Sequence, residues 1–131
     1  MMFGSHCVKS WSVTQSVISL SSGEAEYYAM VKGATVAFWD SGACLGEVGL
    51  KLHVRLKCDA SAAVGIVMRK GLGKVKHIEV TQVWLQEKVA EGLISVMKVG
   101  AKENVSGGLT KGVSGSEVEW MMSAANQVAI Q

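Results

Sequence analysis

LKLHVRLKCD, residues 50–59, is the clearest strand signal in the chain. Its side chains alternate between an apolar side and a basic side, formed by Leu52, Val54, Leu56 and Cys58 and by His53, Arg55 and Lys57. This alternation is typical of a strand with one covered face, so we expect the basic side to lie on a partly open sheet. The next segment, residues 60–69 (ASAAVGIVMR), looks like a short helix. Strand and helix periods therefore alternate, which predicts an α/β domain.

The flanking segments continue this alternation. In chain order we predict extended segments at 6–11 and 17–20, a helix at 23–39, a helix at 77–91 and a strand at 92–99. The apolar face of the helix at 23–39 consists of Tyr27, Met30, Val31, Ala34 and Phe38. After a glycine-rich break at 107–115, a terminal helix is predicted, with Ser116 and Glu119 spaced as a capping box.

Composition excludes several classes of protein. The 131 residues fit one domain, and 13 Lys+Arg against 11 Asp+Glu give a net charge too small to indicate polyanion binding. Cys7, Cys44 and Cys58 form no C-x-x-C pair and match no histidine spacing, so the pattern supports neither a disulfide framework nor a zinc site. We find no signal peptide and no membrane span. We therefore expect an intracellular protein, cytoplasmic or nuclear, that is neither secreted nor membrane-bound.

Two glutamates open the helix in SSGEAEYYAMVKG, residues 21–33. Ser21 and Glu24 have the S-x-x-E spacing of a capping box, in which the hydroxyl and the carboxylate each accept from an N–H group of the first turn. Glu26 has no cap position, and residues two apart point to roughly opposite sides of a helix. Glu26 is therefore either a solvated surface residue or a functional carboxylate.

Asp59 ends the alternating strand and precedes the next helix. An aspartate at this position is commonly a helix N-cap, but the carboxyl end of a strand in an open α/β sheet is also where functional sites are built. If the helix at 23–39 packs across the strand, Glu26 and Asp59 could share a divalent cation. Hard oxygen ligands of this kind suit Mg²⁺, which usually keeps waters and phosphate oxygens as its other ligands.

The segment RKGLGKVKH, residues 69–77, is the strongest local cluster of basic residues. It contains two glycines among Arg69, Lys70, Lys74, Lys76 and His77. Such a loop could follow a phosphate backbone, although most basic surface loops are only solvated. His77 is a candidate metal ligand or general acid, or it makes a polar contact at the start of the next helix.

Taken in order, these segments resemble the ribonuclease H domain of copia-type LTR retrotransposon Pol polyproteins. The matching segments are SW (10–11), ISLSSGEAEYYAM (18–30), CDASAAV (58–64), KHIEV (76–80), EKVAEGLISV (87–96) and NVSGGLTK (104–111). The resemblance implies a ribonuclease H-like fold, with a mixed five-stranded sheet flanked by helices. It assigns residues 1–112 to this domain, incomplete at its N-terminus. Residues 113–131 then form the separate C-terminal helix that the helical spacing predicts.

The resemblance also implies a function, which is hydrolysis of the RNA strand of an RNA–DNA hybrid by a two-Mg²⁺ mechanism during reverse transcription. Glu26 corresponds to the family's helix ligand and Asp59 to its central-strand ligand. The family's first aspartate lies upstream of Met1, and its last is replaced by Gly107. With two of four ligands missing, we expect a degenerate domain that is inactive or weak.

The loss of opening strands would leave unpaired sheet edges. We therefore expect a fragment that is rearranged, or that is completed by a partner such as the remainder of a reverse transcriptase polyprotein. The alternative function is a non-catalytic nucleic-acid-binding or assembly module, in which Arg69, Lys70, Lys74 and Lys76 contact an RNA–DNA hybrid or another nucleic acid. A relic of a mobile element without function is the third alternative.

Overall fold

The computed structural model describes residues 1–45, 49, 52–69, 80–109 and 112–127. The chain forms two compact units, which are described separately: residues 15–99, called the central unit below, and residues 1–14 with 100–131, called the terminal unit. Both contain helices and strands, so the predicted α/β class is confirmed. None of the helices in the described ranges combines the length and the apolar character needed to cross a membrane.

The first long element of the central unit is helix α1, Ser22–Leu45. The Glu24 N–H donates to Ser21 Oγ over 3.2 Å, and the Leu20 N–H donates to Glu24 Oε2 over 2.9 Å. This is the predicted cap with one difference, because the carboxylate accepts from Leu20 and not from Ser21 itself. Glu24 is buried by these contacts, which accounts for it structurally.

The predicted apolar face of α1 is confirmed. Tyr27, Met30, Val31 and Ala34 are buried, and Phe38 packs against them while partly exposed. The helix runs past the predicted end at residue 39. Within the predicted range, Phe38 makes an edge-to-face contact with Trp84, with ring centroids 5.6 Å apart. This face anchors α1 on the rest of the central unit.

Strand β3, Val54–Cys58, pairs in parallel with β4, Ile94–Lys98, in a two-stranded sheet. The strands are joined through helices α2, Ser61–Met68, and α3, Val80–Ala90. Parallel strands need a crossover of this kind, because a tight turn reverses the chain direction and so joins only antiparallel strands. Arg55 and Lys57 are exposed on the open side of β3, as the alternation predicted.

The core of the central unit lies where α1, α2 and α3 cover the sheet. Its most deeply buried side chains are Tyr27, Val67, Leu85 and Ile94. Gln86 is buried among them, and its Nε2 donates to the Ile66 carbonyl over 2.7 Å, which links α3 to α2. These helices form a layer on one face of the sheet, and their packing places the carboxyl end of β3 next to α1.

The terminal unit contains an antiparallel hairpin, β1 (Met2–Phe3) and β2 (His6–Cys7). Gly4 has φ +60° in its turn, a conformation that favours glycine. The unit also contains short 3₁₀ helices at Ala101–Glu103 and Val105–Leu109 and helix α4, Gly115–Ala124. The extended segment predicted at 6–11 is thus a strand only at His6–Cys7, and the one at 17–20 pairs with no described strand.

The cap of α4 differs from the prediction. The sequence SGSEVE contains two overlapping S-x-x-E pairs, and the structure uses the earlier one, so the assignment to Ser116 and Glu119 is wrong. The Ser114 N–H donates to Glu117 Oε2 over 2.8 Å, and the Glu117 N–H donates to Ser114 Oγ over 3.4 Å. These hydrogen bonds to Ser114 lower the pKa of Glu117. The earlier box starts the helix two residues sooner and satisfies its first N–H groups.

The described residues contain four strands in two separate sheets. A five-stranded mixed sheet, which the resemblance implies, does not occur in this part of the chain.

Candidate metal-binding cleft

Glu26 and Asp59 lie in one cleft of the central unit. The cleft has a volume of about 360 Å³ and is lined by Ser22, Gly23, Glu26, Asp59, Ala60, Ser61 and Ala62. Glu26 comes from the second turn of α1 and is exposed, whereas Asp59 follows β3 directly and is half-buried. The two carboxylates predicted from the sequence to share a site are therefore brought together.

A close contact between the first turns of α1 and α2 brings these carboxylates into the same cleft. A Cβ atom at Gly23 would lie 2.8 Å from Ala62 Cβ, which is closer than real Cβ contacts come. Ala62 has no flexible side chain that could move aside. The absence of a side chain at Gly23 therefore allows the helix that carries Glu26 to approach the helix that follows Asp59.

Gly23→Ala is therefore expected to destabilise the chain by about 1–3 kcal/mol, because the added methyl group overpacks this contact. The matched control is Gly33→Ala, in the same helix, where an added Cβ meets nothing within 4 Å. We expect the control to stabilise the chain by about 0.5–1 kcal/mol through higher helix propensity. Urea unfolding followed by circular dichroism measures both changes. Equal effects of the two substitutions would argue against the close contact.

Asp59 does not cap the helix that follows it. The N-cap residue of α2 is Ala60, and no side chain makes a cap hydrogen bond there. The structural alternative for Asp59, that of an N-cap, is therefore wrong. No described residue forms a hydrogen bond or an ion pair with the carboxylate of Asp59 or with that of Glu26. Two neighbouring carboxylates with no cationic partner in the described part of the chain form a site suited to an added cation.

Cys58 is a third potential donor that the sequence analysis did not assign to the site. One ligand atom from each of Glu26, Cys58 and Asp59 lies within 4.8 Å of the other two. Cys58 is on the covered side of β3, and Asp59 is already in a bend beyond the strand end, so both side chains reach Glu26. The adjacent pair Cys58 and Asp59 was the available sequence signal for this cluster. The spacing of cysteines along the chain gives no information about contacts between different helices and strands.

The surroundings of Cys58 affect its protonation. Burial raises the pKa of the Cys58 thiol, the negative charges of Glu26 and Asp59 raise it further, and a hydrogen bond from the backbone at Ala60 acts in the opposite direction. Beside Glu26, burial and the neighbouring Tyr28 raise the pKa of Tyr27 to about 12. Tyr27 is therefore a protonated core residue at neutral pH and not a candidate base.

The remaining predicted site residues lie elsewhere. Arg69 is exposed just after α2, and its Nε donates to the Gly65 carbonyl over 3.2 Å. Lys70, Lys74, Lys76 and His77 lie outside the described residues. The predicted basic loop therefore stays a prediction.

Gly107, which the resemblance places at a ligand position, belongs to the 3₁₀ helix Val105–Leu109 of the terminal unit. Glu103, the nearest acidic residue before it, accepts the Gly100 N–H over 3.4 Å and so contributes to the cap of a 3₁₀ helix. Glu103 thus has a structural explanation of its own.

Comparison with known proteins gives one informative match. The chain is similar to the retrovirus-related Pol polyprotein from transposon TNT 1-94 of Nicotiana tabacum, with 32% identity over 114 residues. The matched region covers 84% of this chain, and the chain spans 8% of the length of that relative. No family model and no solved structure matches. The similarity supports an origin of this chain in a retrotransposon Pol polyprotein.

Proposed function

We propose that this chain is a degenerate ribonuclease H-like domain of a retrotransposon polyprotein, in which Glu26 and Asp59 are the remaining divalent-cation ligands. Its ancestral reaction is hydrolysis of the RNA strand of RNA–DNA hybrids. The observation that carries the proposal is the meeting of these two carboxylates in one open cleft. They come from distant parts of the sequence, and their positions match the two ligands that the resemblance assigns to them.

The donor set of the cleft fits Mg²⁺ only in part. Two carboxylates suit a hard cation that keeps several waters, and the Ser22 and Ser61 side chains line the same space. When bound, Mg²⁺ would activate a water and stabilise the leaving oxygen of an in-line displacement. Glu26 and Asp59 would hold the ion in the open cleft.

The same donor set supports weak or absent catalysis. Two cations a few ångströms apart repel each other, and the family balances this repulsion with about four carboxylates. Glu26 and Asp59 supply two in this cleft, and Gly107 has no side chain to supply another. We therefore expect Glu26 and Asp59 by themselves to hold one cation.

Cleavage of the RNA strand in a labelled RNA–DNA hybrid tests the proposal. We expect Mg²⁺-dependent cleavage to be weak in the wild-type chain and absent in Asp59→Asn. Cleavage that persists at the same rate in the variant would contradict the assignment of this cleft.

The open face of β3 favours a second candidate function, the non-catalytic nucleic-acid-binding module. Arg55 and Lys57 are exposed there, and neither forms an ion pair with a described residue. Residues two apart on a strand lie about 6.6 Å from each other on the same face, so the two cations could follow a phosphate backbone. His53 extends this row, and its Nε2 lies 2.9 Å from Ser95 Oγ.

Salt dependence tests this second function. Binding of the hybrid without cleavage, weakening steeply with salt, would favour the module. If Arg55 and Lys57 contact phosphates, the double variant Arg55→Gln/Lys57→Gln should reduce the slope of log K against log salt by about 1 for each lost contact. Lys32→Gln, on an exposed position of α1, is the control for charge alone. An equal change of slope in the control would exclude a specific role for the strand face.

A further inference from the structure

A sulfur atom lies next to the two carboxylates of the cleft, because Cys58 is buried directly before Asp59 and does not itself line the cleft. Cys58 Sγ and the carboxylate oxygens of Glu26 and Asp59 lie within 4.8 Å of one another. Mg²⁺ is bound by oxygen and seldom by sulfur, whereas Zn²⁺, Co²⁺ and Cd²⁺ accept mixed sulfur and oxygen ligands. Cys58 also packs in the apolar core of the central unit, so a role as metal ligand would add to this structural role.

The sulfur of Cys58 is held in place by the surrounding backbone. Cys58 is 4% exposed, and its carbonyl accepts the Val99 N–H over 3.0 Å at the end of β3. The Ala60 N–H points at Cys58 Sγ over 3.4 Å. This contact fixes the position of the sulfur atom next to the two carboxylates.

Small movements would close the site around a cation. Bond lengths of about 2.0–2.3 Å place the ligand atoms of a tetrahedral zinc site roughly 3.5 Å apart. The observed limit of 4.8 Å exceeds this by little more than 1 Å. Glu26 is exposed and has a long side chain, so a change of rotamer can bring its carboxylate inward.

We propose that this cleft binds a thiophilic divalent cation, with Zn²⁺ as the closest fit, through Cys58, Asp59 and Glu26, in preference to Mg²⁺. The inference deepens the proposed function and rests on its assignment of Glu26 and Asp59 as metal ligands. Three protein ligands leave a fourth position open to water or to a phosphate oxygen. Zn²⁺ is then expected to displace Mg²⁺ from the cleft and to suppress any Mg²⁺-dependent cleavage.

Co²⁺ is the probe that tests this inference without an activity assay, because a bound thiolate gives Co²⁺ an intense charge-transfer absorption. The double variant Cys7→Ser/Cys44→Ser leaves Cys58 as the sole thiol of the chain. We expect it to bind one Co²⁺ with the charge-transfer band and to lose the band on addition of one equivalent of Zn²⁺. Cys58→Ser is expected to lack the band and to bind Zn²⁺ more than about tenfold more weakly.

The outcomes separate this inference from the proposed function. Co²⁺ binding without a charge-transfer band in the double variant would overturn the role of Cys58 and leave the carboxylate site intact. Failure of both Co²⁺ and Mg²⁺ to bind at millimolar concentration would overturn both. If Cys58→Ser does not fold, Asp59→Asn in the double-variant background decides, because it keeps the thiol. We expect the band to be lost there, and its survival would overturn the shared site.

Discussion

Asp59→Asn is expected to lower the affinity of the chain for Mg²⁺ by at least about tenfold and to remove Mg²⁺-dependent cleavage of an RNA–DNA hybrid. The substitution keeps the size of the side chain and removes one of the two negative charges in the cleft. Asp59 makes no helix cap and no hydrogen bond within the described part of the chain, so its loss should leave the fold unchanged. Calorimetric titration with Mg²⁺ and a gel assay with labelled hybrid measure the two effects.

Glu26→Gln should reproduce these losses, because the two carboxylates share the cleft. Glu87→Gln is the matched control, since it removes one exposed negative charge from the same unit at a position on α3 outside the cleft. We expect the control to bind Mg²⁺ like the wild-type chain. Similar losses in all three variants would mean that net charge, and not this cleft, determines cation binding.

Leu85→Ala is expected to lower the free energy of unfolding by about 2–5 kcal/mol. Leu85 is fully buried between the helices and the sheet, and its removal leaves a cavity in the main apolar cluster. Total domain stability is typically about 5–15 kcal/mol, so this loss can shift a large part of the population to the unfolded state. Urea unfolding followed by tryptophan fluorescence is suitable, because Trp84 lies beside Leu85 in α3 and contacts Phe38.

Leu20→Ala is the control for the same change of side chain, because Leu20 is 73% exposed in the same unit. We expect its effect to stay within about 0.5 kcal/mol. If the two substitutions cost the same, the helices do not pack over Leu85 as described.

The sequence was most informative where one periodicity continued over a whole element. The alternation of apolar and basic residues predicted β3, and the helical spacing from Tyr27 to Phe38 predicted the buried face of α1. Both patterns arise because one face of the element is buried. The segment at 17–20 has a β-rich composition, but a strand also needs a partner, which local sequence does not contain. The cap of α4 was assigned to the wrong pair because two pairs with equal spacing overlap.

The candidate site was likewise predictable only where the local sequence carries the information. The family resemblance is what indicates Glu26 as a ligand. Whether Glu26 lies close to Asp59 depends on how the helices pack, and the close contact between Gly23 and Ala62 allows it. The sequence left Asp59 with two alternatives, and the absence of a side-chain cap on α2 removes one of them. The spacing of cysteines along the chain does not indicate Cys58 as a ligand, because its neighbours Glu26 and Asp59 come from another helix and from the bend beyond the strand.

Titration of the ¹⁵N-labelled chain with Mn²⁺ locates the cation site, because this paramagnetic cation accepts carboxylate ligands and broadens the signals of nearby amides. We expect substoichiometric Mn²⁺ to broaden the amides of residues 22–26 and 58–62 first, and Asp59→Asn to abolish this effect. Broadening that begins elsewhere in the chain, or that is unchanged in Asp59→Asn, would contradict a cation site formed by Glu26 and Asp59.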